Sequence, residues 1–78
     1  MNANRRKRVG SLIERLSELR AELEELRDEE QEAFDNMPES LQNSERGESI
    51  EEAIEIMEDE ISNLEDAESN LNDLLGPR

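Results

Sequence analysis

The sequence predicts an all-α fold, an antiparallel two-helix coiled-coil hairpin that a second copy is expected to complete as a four-helix bundle. Three observations point there. Apolar residues recur at alternating steps of three and four through both halves of the 78-residue chain. A polar stretch with a proline and a glycine separates the halves. The chain has no cysteine and a single aromatic residue, Phe34. A domain this small buries too little surface to be more than marginal alone, so association is the expected source of further stability.

The first helix is expected over about residues 4–36. Val9, Leu12, Leu16, Leu19, Leu23, Leu26, Glu30, Ala33 and Met37 follow a 3.5-residue repeat, the pattern of a coiled-coil seam. Residues 1–10 form a basic N-terminal arm, where Gly10 gives the helix a soft start open to fraying. Ser11 with Glu14 reads as a capping box beyond it. The second helix is expected over about 49–75, opened by Ser49 with Glu52. Its seam is Ile50, Ile54, Met57, Ile61, Leu64, Glu68, Leu71 and Leu75. Gly76 and Pro77 read as its stop signal, and residues 76–78 as a tail.

A register follows if seam residue numbers sum to 87. The layers are then Leu12–Leu75, Leu16–Leu71, Leu19–Glu68, Leu23–Leu64, Leu26–Ile61, Glu30–Met57, Ala33–Ile54 and Met37–Ile50. One flank sets Arg20 against Glu65 and Arg27 against Glu58, pairs of opposite sign. The other flank leaves Ala53, Ala67 and Leu74 uncovered, and Ile13, Phe34 and Ile56 also lie off the seam. Two helices cannot cover all of these, which is the argument for a dimer or higher homo-oligomer.

Composition narrows the chemistry. Without histidine or cysteine, zinc-finger and histidine-based catalytic sites are excluded. The net charge of −14 opposes nonspecific binding to nucleic acid or anionic lipid. It is also uneven: setting aside Arg5, Arg6, Lys7 and Arg8 leaves 5 basic and 23 acidic residues. No apolar run approaches the ~20 residues of a membrane span, and no apolar signal segment follows the basic start. The expected location is the cytoplasm.

Four features are candidates for function. Glu25, Asp28, Glu29, Glu32, Glu51, Glu52, Glu55 and Glu58 fall three or four apart on helix faces. Such elements hold magnesium in all-α nucleotide pyrophosphatases. The basic and aromatic groups that would bind a nucleotide are missing nearby, so a solvated acidic face is the preferred reading. Neither a metal nor a cofactor is expected. Seam residues Glu30 and Glu68 need a partner or an outward path, and Arg27 is within reach of Glu30. Arg5, Arg6, Lys7 and Arg8 are a possible anion contact, or neutralise acidic neighbours. In the connector, about residues 37–48, Asn36 is expected to cap a short turn starting at Pro38. Leu41 would fold back on Met37 and Ile50 as a plug. Asn36, Ser40, Gln42, Ser44 and Arg46 remain as a polar recognition surface.

Asp35-Asn36-Met37-Pro38-Glu39-Ser40-Leu41-Gln42, followed by Ser44-Glu45-Arg46, resembles a motif in small acidic helical-hairpin proteins of bacteriophages and prophages. The resemblance spans about residues 12–72, with flanking Glu/Leu/Ile heptads. It implies a phage or bacterial origin and no particular reaction. The expected function is therefore binding without catalysis, as an inhibitor that occludes a basic site on a host defence or DNA-processing protein. Asn36, Ser40, Gln42, Ser44, Arg46, Glu29, Glu55 and Glu58 are the expected partner contacts, with no direct nucleic-acid or membrane binding. The alternatives are an oligomer sequestering an anionic nucleotide signal through Arg5–Arg8 or Arg46, a structural assembly module, and a magnesium-dependent nucleotide hydrolase using Glu29 and Glu55.

Overall fold

The computed structural model describes residues 1–76 and contains helices only among them: α1 (Ala3–Asp35), α2 (Glu39–Gln42) and α3 (Glu45–Leu75). α1 and α3 pack along each other as an antiparallel hairpin measuring 58 × 16 × 14 Å. Arg6 near the start of α1 donates to the Leu75 carbonyl at the end of α3, which fixes the direction of the pair. Pro77, the second half of the sequence's stop signal, lies outside the described residues.

Both long helices begin earlier than the Ser-x-x-Glu signals suggest. Asn2 caps α1 by accepting from the Arg5 N–H at 2.8 Å. The helix then runs through Gly10 and Ser11 without a break. Ser44, not Ser49, caps α3 and accepts from the Gly47 N–H at 3.4 Å. Ser11 and Ser49 are interior helical residues, so neither capping box forms. A true cap has extended backbone before its helix, as Asn2 and Ser44 do.

The α3 seam is the one read from the sequence. Ile50, Ile54, Met57, Ile61, Leu64, Glu68, Leu71 and Leu75 are all buried or half-buried. The α1 seam differs. Val9, Leu16, Leu23, Glu30 and Met37 face α3, but Ile13, Arg20, Arg27 and Phe34 replace Leu12, Leu19, Leu26 and Ala33 as the second row. The three leucines are 47%, 54% and 55% exposed. α1 is thus turned about its axis relative to the expected layers, and the Leu12–Leu75, Leu19–Glu68, Leu26–Ile61 and Ala33–Ile54 pairs are corrected.

The cause is the carboxylate of Glu68. Opposite Leu19 it would sit unpaired in an apolar layer, at a cost of several kcal/mol. With α1 turned, Arg20 enters the seam and meets it. The resulting core is thin: Ile54 and Ile61 are its only buried apolar side chains among the described residues, and each keeps a few per cent of its surface exposed.

The connector is a short helix. α2 starts after Pro38, which occupies the N-cap position and not the first helical one, and whose carbonyl accepts from the Leu41 and Gln42 N–H groups. Asn36 ends α1 and does not cap α2. Leu41 borders a groove with Met37 and Ile50 but keeps 48% of its surface exposed, so this end is grooved and not plugged.

The end of α2 crosses the first turn of α3 at Gly47, which is buried. A Cβ there would collide with the Gln42 carbonyl and stand 2.7 Å from the Leu41 oxygen, both rigid backbone groups. At Gly10 the nearest atom to such a Cβ is a Leu75 methyl at 4.0 Å. These two glycines should therefore respond oppositely to alanine. Gly10→Ala should stabilise the protein by about 0.5–1 kcal/mol through helix propensity. Gly47→Ala should destabilise it by about 1–3 kcal/mol through overpacking. Urea denaturation followed by circular dichroism measures both, and equal shifts in one direction would contradict the packing at Gly47.

Candidate functional site

Glutamates at steps of three and four on one helix share a face, and α3 places Glu51, Glu55 and Glu58 that way. They frame an open groove of about 350 Å³ whose other walls are Gln31, Phe34 and Ile54. Phe34 reaches it because α1 is turned, which carries the single aromatic ring of the chain to the α1–α3 boundary. The groove thus combines an apolar floor with three carboxylates, a setting suited to the aliphatic stem and charged head of an arginine or lysine.

Glu29 does not join this group. It lies on the other edge of α1, two turns from Glu22. Arg27, expected to serve Glu30, instead donates to Asp28 at 3.0 Å and approaches Glu58 at 4.0 Å. Glu30 stays half-buried in the seam. No cluster of three or more carboxylates among the described residues is arranged to hold a metal ion.

The connector's polar residues divide into two sets. Gln42 donates its side-chain amide to the Phe34 and Met37 carbonyls at 3.0 and 3.3 Å, a second bond for Phe34, which already accepts from the Met37 N–H just beyond α1. Ser44 donates to the Leu41 carbonyl while capping α3. These two side chains are occupied in holding the connector together. Asn36 and Arg46 line the groove beside Met37, Pro38, Leu41 and Ile50, and Ser40 is exposed.

The basic arm is similarly divided. Arg6 turns inward to the Leu75 carbonyl, a cation at the negative end of the α3 dipole. Arg5 and Arg8 line an apolar groove with Met1, Val9 and Leu12, and Lys7 is exposed. Arg5–Arg8 therefore do not converge on one anion site within a single chain. Arg46 lies at the opposite end of the hairpin.

The strongest polar contact is between helices. Arg20 Nε donates to Glu68 Oε2 at 2.6 Å and its Nη2 to Oε1 at 3.3 Å, a two-pronged pair, while Nη1 reaches Glu24 at 3.2 Å. The expected partner Glu65 contributes only its nearby charge. The Arg20 hydrogen bond holds the Glu68 carboxyl below its ordinary range against the opposing effect of partial burial, and Ser17 adds a smaller contribution in the same direction. The same bond raises the Arg20 guanidinium.

The sign of the pH dependence follows. A carboxyl depressed in the folded state stabilises fully above its unfolded value, and that stability is lost as pH falls through the folded value. Wild type should therefore be more stable than Glu68→Gln at pH 7. The difference should shrink to nothing as pH drops below the ordinary carboxylate range of about 4. Paired urea titrations of the two proteins remove the shared effect of the other carboxylates, and a difference unchanged by acid would exclude the ionised pair as its source.

No family model, curated protein or solved structure matches this chain.

Proposed function

We propose that the chain is a non-enzymatic acidic binding protein of phage or prophage origin. As a two-chain four-helix bundle, it occludes a basic site on a host defence or DNA-processing protein. The observation that carries this reading is linear charge density. A net charge of −14 along 58 Å is 58/14, or about 4 Å per charge. Two such hairpins side by side in the proposed bundle carry a charge about every 2 Å, and duplex DNA carries one about every 1.7 Å of its axis. A channel lined with arginine and lysine for phosphates meets a comparable field on this rod, from carboxylates fixed to helices.

The Glu51–Glu55–Glu58 groove supports the same reading on a smaller scale. A partner arginine can lay its guanidinium against Phe34 and bond the surrounding carboxylates. Asn36, Ser40 and Arg46 offer further hydrogen bonds at the connector end. A coiled-coil assembly module is the second reading, favoured by the exposed leucines of α1. The two differ in salt dependence, since charge occlusion is screened and apolar helix pairing is not.

Affinity capture from bacterial lysate should retain a nucleic-acid-binding protein at low salt, release it at high salt and lose it to competing duplex DNA. Glu51→Gln/Glu55→Gln/Glu58→Gln should weaken that capture by at least about tenfold, the effect of losing charge-assisted contacts. Retention of no nucleic-acid-binding protein at either salt concentration would sink the occlusion mechanism. Salt-insensitive capture of a helical partner would support the assembly module instead.

A further inference from the structure

We infer that a second copy of this chain covers the exposed leucine stripe of α1, running antiparallel to it with the two-fold axis beside Leu19. This rests on the two-chain bundle proposed above and adds its contact face and orientation. It does not depend on the identity of the host target.

The stripe is Leu12, Leu19 and Leu26, each about half exposed at 47%, 54% and 55%. Their seven-residue spacing is about two helical turns, so they form one line along α1. The line is continuous with the hairpin's apolar interior, because Leu12 and Leu19 share a groove with Leu16 and Leu71. A single hairpin leaves this line open while burying only Ile54 and Ile61 among the apolar side chains of the described residues. Covering it removes that apolar surface from water.

Charge identifies the occupant and its direction. Arg8, Arg15, Glu22 and Glu29 repeat at the same seven-residue spacing and form the adjoining row on α1. Arg8 and Arg15 edge grooves lined by Leu12. The row changes sign between Arg15 and Glu22, next to Leu19. A row positive in one half and negative in the other is complementary to itself when reversed. Two antiparallel copies set Leu19 against Leu19 and Leu12 against Leu26. The flank then sets Arg8 against Glu29 and Arg15 against Glu22, as partner-selecting coiled-coil flanks do. Parallel copies set arginine on arginine and glutamate on glutamate.

A single-cysteine series tests this cleanly, because the chain has no cysteine of its own. Light scattering on the unmodified protein should give twice the chain mass. Under mild oxidation, Leu19→Cys should form a disulfide-linked dimer with itself. Leu12→Cys and Leu26→Cys should each link to themselves at most about a tenth as well, since distant sulfurs cannot bridge. An equimolar mixture of those two should link to each other. Leu19→Asp, which opposes two carboxylates at the axis, should weaken association by more than about a hundredfold.

Equal self-linking at all three positions, or linking at none, overturns the antiparallel stripe while leaving a dimer in place. A monomeric protein at all concentrations overturns both the stripe and the bundle. Neither result bears on salt-sensitive capture of a host protein, so the two proposals fail separately.

Discussion

The two-pronged bond between Arg20 and Glu68 sets how α1 sits on α3. Neither residue belongs to an ordinary apolar seam, and each is tolerable there because of the other. A carboxylate on the inner face of α3 must be paired, and α1 offers arginine one residue after the leucine that would otherwise face it. Turning α1 to supply that arginine shifts a whole row. Ile13, Arg27 and Phe34 move inward with Arg20, and Leu12, Leu19 and Leu26 move outward with their own two-turn spacing. One ion pair therefore accounts for the thin core, the exposed leucine line and the arrival of Phe34 beside Ile54.

The length of the connector follows from backbone hydrogen bonding. α1 ends with carbonyls that no further helical N–H reaches, and α3 begins with N–H groups in the same condition. Gln42 serves the first set and Ser44 the second, and both stand at the end of α2, where one short helix can reach both termini. Pro38 sets the extended entry to α2. Gly47 lets the exit of α2 pass against α3 without collision. A shorter polar turn would join the helices but lose the Gln42 and Ser44 side-chain bonds. Much of the motif's particular order is thus explained by capping. Asn36, Ser40 and Arg46 are polar side chains that this capping does not use.

The parts of this molecule that were legible in sequence are those governed by one strong signal. α3 carries a single apolar row pair, so its seam and register residues could be read directly. α1 carries two adjacent candidates for its second row, Leu12/Leu19/Leu26/Ala33 and Ile13/Arg20/Arg27/Phe34. Hydrophobicity favours the first, and only the electrostatic need of a residue on the other helix favours the second. Periodicity within one helix contains no information about that need. The caps were missed for a related reason, although the start of α1, expected near residue 4, is found at Ala3. Ser-x-x-Glu is common inside a glutamate-rich helix, and only the extended backbone of Asn2 and Ser44 separates a cap from a coincidence. The groove around Phe34 was hidden with the rotation, although a lone aromatic outside the expected seam was a signal that the seam was misplaced.

The net charge of −14 works against folding, because like charges crowded on a narrow hairpin repel. A larger core would offset that repulsion, but a chain of this length has little core to enlarge. The apolar line along α1 offers another source of stability without covering the carboxylates. It lies on the edge of the hairpin away from Phe34, Glu51, Glu55 and Glu58. Burying it against a second copy adds apolar contact on one side and leaves the acidic groove open on the other. Association does bring two negatively charged chains together, and here the order Arg8, Arg15, Glu22, Glu29 matters. In the proposed interface it would gather positive charge at one half of the row, so the local field there would be attractive even though the whole molecules repel. Arg6 and Arg20 stand where a helix end and a seam carboxylate would otherwise be uncompensated, and Arg8 and Arg15 would do the same for Glu29 and Glu22 of a second copy in the proposed row.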